Sequence, residues 1–147
     1  MSASPSDTRP TDPAERSAAL RDRYRLIAHR SNDRQVAGLA KACAEQHEQL
    51  SKELSALSPS FHSAASILAE AGLVSPGSLE SPPDGSEDAC TLLGWMADME
   101  RADELYFKAV AESLAGEEAQ RCAAMAALSY KRAELANRHL DLLGMCR

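Results

Sequence analysis

The chain is poor in aromatic rings, with two Phe, three Tyr and one Trp in 147 residues. That is too few for a cofactor platform of stacked rings. It also has no apolar run near the roughly 18 residues that a membrane-spanning helix needs, and no internal period of repeat-protein length. Its four cysteines, at 43, 90, 122 and 146, show no C-x-x-C spacing, so a zinc-ribbon reading loses its support. There is no P-loop, no G-x-G-x-x-G and no nucleophile elbow, which removes the usual signals of nucleotide binding and serine hydrolase chemistry. The opening MSASPSDTRPTDP has no apolar stretch behind its charges, so neither a secretory leader nor a lipid-facing anchor is expected. The expectation is a cytoplasmic protein with reduced thiols. A Cys90–Cys146 disulfide, between the start of one helix and the end of its neighbour, would require an oxidising compartment.

What is present is amphipathic helix. The length suits one domain. Sixteen Lys and Arg against 22 Asp and Glu leave a net charge of -6, which argues against a nucleic-acid partner. The charge is uneven: six arginines and only Asp22 and Asp33 fall between Arg16 and Arg34. Such a basic helix is either neutralised by acidic neighbours or forms a surface for a partner or a membrane.

Residues 1–11, rich in Ser, Pro, Asp and Thr, read as a disordered tail, and 12–147 as a helical bundle domain. Asp12, Pro13 and Glu15 signal a helix start, with Leu20, Tyr24 and Ile27 on one face to about residue 29. Ser31, Asn32 and Asp33 predict a tight turn. A second helix follows to about Leu57, with Val36, Leu39, Cys43, His47, Leu50 and Leu54 on one row. Residues from about 58 to 86 form a crossover that carries a short helix, Phe61 to Ala71, and then Pro76, Pro82 and Pro83. Ser86 is expected to cap a third helix, with Glu87 and Asp88 in its first turn, running to about Ala115. Gly116 stops it, and Glu117 and Glu118 open a fourth helix that ends before Gly144. Two tight hairpins joined by one long crossover is the connectivity of ferritin-like bundles. The fold class is therefore all-α, a four-helix bundle.

Polar groups recur on faces that should be buried: Cys43 with His47, Glu100 with Asp103, and Tyr130 with Asn137. On the third helix Asp103 lies near the centre of the stripe of Leu92, Met96, Met99, Tyr106, Phe107 and Val110, and Glu100 at its edge. Each polar group buried without a partner costs roughly 1 to 3 kcal/mol. One reading is a hydrogen-bonded network of His47, Asp103, Tyr130 and Asn137. A second is an iron, zinc or copper site built from Cys43, His47, Glu100, Asp103 and Glu134, since Cys43 and His47 are one helical turn apart. A third is a catalytic carboxylate with a raised pKa.

The stretches NDRQVAGLAKACAEQHEQLSKELSAL and MERADELYFKAVAESL together resemble the ferritin-like superfamily, and particularly small bacterial four-helix-bundle proteins distantly related to rubrerythrin. The resemblance covers about residues 14 to 143 and implies the fold. In metal-binding members it implies a glutamate on the first and third helices and Glu-x-x-His on the second and fourth. Here Glu100 matches on the third helix and His47 on the second. Ser17, Ala44 and Asn137, three after Glu134, stand where the pattern has ligands, so the di-iron set is broken. The functional expectation is a non-enzymatic bundle, with no cofactor, acting by self-association or by binding a protein partner. The alternative is a metal-binding bundle with a storage or redox role.

Overall fold

The computed structural model describes residues 12–70 and 82–144. The expected tail 1–11, Gly72, Pro76 and Cys146 lie outside the described residues. Five helices follow one another: α1 Pro13–Arg30, α2 Arg34–Ser55, α3 Pro59–Glu70, α4 Ala89–Glu112 and α5 Gly116–Leu143. No strand occurs among the described residues, and no helix among them is long and apolar enough to cross a membrane.

Local chemistry sets the helix ends. The Asp12 carboxylate accepts from the Ala14 N–H, and Pro13 takes the first helical position, where a missing N–H costs nothing. Asp33 accepts from the N–H groups of Gln35 and Val36, so the turn between α1 and α2 is only three residues long. The start of α4 departs from expectation. Asp88, not Ser86, is the cap and accepts from the Thr91 N–H at 2.8 Å. Glu87 stays outside the helix, where its carboxylate takes the N–H groups of Asp84 and Gly85. The physical reason is the Asp84–Ser86 turn, closed by the Asp84 side chain on the Ser86 N–H and hydroxyl, which occupies the serine that would otherwise cap. Gly85, at φ +101°, has a special place in this turn. A Cβ there would lie 2.9 Å from the Arg30 Cβ and 3.1 Å from the Ile27 Cα, so only glycine lets the connection press against the end of α1.

Helices α1 and α2 form one hairpin and α4 and α5 another, with α3 between them in sequence and packed on α4. Ser58, ahead of α3, is tied to α5 through Glu118, which accepts from both its N–H and its hydroxyl. The basic run of α1 is partly neutralised by its neighbour: Arg21 donates to Glu48 of α2 at 2.6 Å.

The apolar interior is divided in two. One cluster, with Leu20, Tyr24, Ile27, Val36, Cys43, Leu92 and Met96, fills the end near the α1–α2 turn. The other, with Leu50, Leu54, Phe61, Phe107, Val110 and Met125, fills the end near the α4–α5 turn. On α4 the residues between the two clusters include Glu100 and Asp103, both buried, while Glu104, also buried, pairs outward with Arg101 and Lys108 on the same helix. A polar layer thus cuts across the middle of the bundle.

Cys43 and Cys122 are free, buried thiols, whereas Cys90 is disulfide-bonded. The expectation of reduced thiols throughout therefore fails at Cys90.

Candidate functional site

The polar layer is assembled from four helices, each placing one or two side chains inward at helical spacing. From α4 come Glu100 and Asp103; from α1, Arg16 and Tyr24; from α2, His47; and from α5, Ser129 and Arg132. Glu100 is the hub. Its Oε2 accepts from the Tyr24 hydroxyl at 2.6 Å and lies 2.8 Å from His47 Nε2, while its Oε1 accepts from Arg132 Nε at 2.8 Å. Arg132 also donates through Nη1 to Gln46 Oε1 at 2.7 Å and through Nη2 to the Ser129 hydroxyl at 3.1 Å. Asp103 accepts from Arg16 Nε at 2.9 Å. The Tyr24 ring stacks on His47 with centroids 5.5 Å apart and meets Trp95 edge-on at 5.8 Å. Two carboxylates thus face two guanidiniums in the interior, and nearly every polar atom is answered. His47 Nδ1 is the exception, being buried with no hydrogen-bond partner.

Burial alone would push the Glu100 carboxyl upward, but the charges of His47 and Arg132 and the hydrogen bonds from His47 and Tyr24 outweigh it, and the group is held well below the usual carboxylate range. Asp103 moves the other way. Its burial raises the carboxyl more than the Arg16 charge lowers it, and the neighbouring Glu100 adds to the rise. Arg132 is raised despite desolvation because Glu100 stabilises its charge. Burial, and then the Glu100 charge, push the Cys43 thiol up to about 12, so it is a protonated, inert group at neutral pH.

His47, Glu100 and Asp103 each offer one ligand atom, and these atoms lie within 4.8 Å of one another, close enough to hold a metal ion. The oxygens are already engaged, however. Both oxygens of Glu100 and Oδ1 of Asp103 accept from cationic or neutral donors of the chain. One imidazole and two guanidinium-paired carboxylates are a poor donor set for a resident transition metal, because the positive charge such carboxylates would recruit is supplied by Arg16 and Arg132.

The other residues singled out from sequence fall elsewhere. Cys43 is buried on the same side of α2 but is not part of that group. Tyr130 is 48 % exposed and Asn137 is exposed, so neither belongs to a buried network. The Tyr130 hydroxyl donates to Glu134, which also pairs with Arg138 at 3.2 Å on the outside of α5. The reason is rotational. The inner face of α5 is Met125, Ser129, Arg132 and Ala136, and Tyr130, one residue after Ser129, is turned away by about 100°. Alanine dominates this helix, so its stripe is faint in the sequence, and its one Tyr ring marks the wrong face as inward.

Apolar periodicity in the sequence does not single out Arg16, Gln46, Ser129 and Arg132, and it gives Tyr24 only as an apolar core ring. A signal existed for the two arginines. Arg16 stands on the row Arg16, Leu20, Tyr24, Ile27, and Arg132 on the row Met125, Ser129, Arg132, Ala136, both at steps of three and four. A charged residue on such a row points to a buried counter-charge.

No protein-family model matches the chain, and neither a curated protein nor a solved structure does.

Proposed function

We propose that this protein is a ferritin-like bundle without a resident metal or enzymatic activity, and that it acts by associating with further copies of itself through the outer side of α5. The ferritin-like reading is supported by the two tight hairpins and the long connection between them. On α2 Ala44-x-x-His47 stands where the resemblance implies Glu-x-x-His, and on α5, where Glu134 and Asn137 face away from the layer, the inward Arg132 brings a guanidinium to Glu100 instead of a ligand.

The observation that carries the association reading is a row of leucines. Leu128, Leu135 and Leu142 are 50 %, 42 % and 79 % exposed at intervals of seven residues. Seven residues bring a helix back to nearly the same direction, so the three form one stripe on α5, at every second position of the 3.5-residue repeat that makes a coiled-coil seam. Leu128 is also the lip of an apolar groove of about 410 Å³ between α2 and α5, floored by Leu50 and Met125. Large exposed apolar side chains in line mark an interaction surface more often than isolated ones do.

Sedimentation of the full chain over a wide concentration range tests this. The wild type should show a reversible monomer–oligomer equilibrium in the micromolar range, and Leu135→Glu should sediment as a folded monomer with unchanged helix content. A wild type that stays monomeric at every concentration, in low and moderate salt alike, refutes the proposal.

The spacing of His47, Glu100 and Asp103 favours one second reading, a metal-binding bundle with a storage or redox role. Elemental analysis of protein purified without chelator separates the two. The metal-free reading expects iron, zinc and copper far below one per chain; stoichiometric metal that disappears in His47→Ala or Glu100→Gln would establish the other.

A further inference from the structure

We propose that the association is an isologous dimer whose two-fold axis runs along the bundle, so that α5 lies parallel to α5 of a second copy and the acidic bank of each face meets the basic bank of the other. This rests on the self-association reading above.

The argument comes from what flanks the leucine stripe. Residues four after a stripe leucine turn toward α2: Arg132, four after Leu128, lines the α2–α5 groove. Residues three after a stripe leucine turn the opposite way by about 60°. These are Lys131, after Leu128, and Arg138, after Leu135. On the α2 side the groove is banked by Glu45 and Glu53, both exposed. Across this face the order is therefore carboxylates, leucines, cations. Among the described residues Glu45, Glu53 and Lys131 make no ion pair, and Arg138 has there only a solvent-exposed contact to Glu134. The charges are available to a partner.

Two symmetric ways exist to press such a face against its copy. An axis lying across the helices sets carboxylates over carboxylates and cations over cations, and like-charge juxtaposition disfavours it. An axis along the helices exchanges the two banks, so the carboxylate bank of each copy faces the cation bank of the other, with Glu45, next to the Gln46 that meets Arg132, level with Lys131 of the second copy. The same operation stacks each leucine of the stripe against its own counterpart, as in a parallel two-stranded seam.

Cysteine cross-linking decides the orientation. Leu128 and Leu142 are fourteen residues apart, about 21 Å along the helix. In the parallel dimer, Leu128→Cys alone and Leu142→Cys alone should each form a covalent dimer under mild oxidation, above the wild-type background from native cysteines. Covalent dimer only when the two variants are mixed means an antiparallel pair and overturns the inference.

Charge reversal provides an independent check. Each rim contact occurs twice in an isologous pair, so Lys131→Glu with Arg138→Glu should weaken the dimer by roughly tenfold or more. Glu45→Lys with Glu53→Lys should do the same, and mixing the two double variants should restore association as a heterodimer. An unchanged dissociation constant for either double variant alone also overturns the inference. A wild type that is monomeric throughout defeats the underlying association reading instead, so the two failures are told apart.

Discussion

Replacing Arg132 by methionine is the most direct test of how the polar layer is held together. The guanidinium is buried and donates to Glu100, Gln46 and Ser129. Methionine fills much of the same volume but leaves Glu100 with only Tyr24 and His47 for partners. Removing one member of a buried ion pair costs about 3–5 kcal/mol, chiefly because the other charge remains inside. A direct estimate agrees: two unit charges about 4 Å apart at an effective dielectric constant of about 20 attract by about 4 kcal/mol. For a chain of this size each kcal/mol lowers Tm by about 2–4 °C, so the loss should be about 6–20 °C.

The pH dependence has a definite sign. Glu100 is held below the usual carboxylate range in the folded state, so its ionisation stabilises the fold above its unfolded value of about 4.3, and that stability is lost as pH falls toward the folded value. Arg132→Met removes one of the charges responsible. The deficit of the variant should therefore be full at pH 7 and smaller near pH 4. Urea unfolding followed by far-UV circular dichroism, at fixed protein concentration so that association does not intrude, measures it. In a Glu100→Gln background the same substitution should cost about 1 kcal/mol or less, since no uncompensated carboxylate remains. A cost below about 1 kcal/mol with Glu100 present, or an equal cost in the Glu100→Gln background, would refute the reasoning.

Asp103→Asn should cost about 1 kcal/mol or less at pH 7, less than Arg132→Met, because burial already disfavours the ionised Asp103 carboxyl in the fold, in contrast to Glu100, and the amide oxygen still accepts from Arg16. Asp103 is raised in the fold, so its contribution is fully present below about 3.9 and is lost as pH rises through the folded value; unfolding curves should show the wild type gaining on the variant on acidification. Gly85→Ala should destabilise by about 1–3 kcal/mol through its positive φ and the close approach to Arg30 and Ile27. Gly94→Ala, inside α4 with nothing within 4 Å of the new methyl, should instead raise stability by about 0.5–1 kcal/mol; thermal melts of the pair check both.

Much of the backbone was legible in the chain itself, because the signals that start and stop helices act within three or four residues. Asp12 with Pro13, Asp33 and the left-handed Gly144 mark ends that the structure places within a residue or two of expectation. Asp103 could be assigned to an inner face because large apolar residues on α4 define that face clearly. Where local signals compete they mislead: Ser86 and Asp88 are both good caps, and the Asp84 turn decided between them.

The partners of the polar layer belong to the tertiary structure alone. Glu100 meets Tyr24 across 76 residues, His47 across 53 and Arg132 across 32, and Arg16 reaches Asp103 across 87. Helical periodicity states which side of one helix is inward, but not how far that helix is rotated or shifted against the next. On α5, where alanines leave the rotation weakly marked, packing against α4 turned Ser129 and Arg132 inward and Tyr130, Glu134 and Asn137 outward. The sequence thus determined that carboxylates would sit inside the bundle, and only the docking of the two hairpins decided that arginines would meet them there.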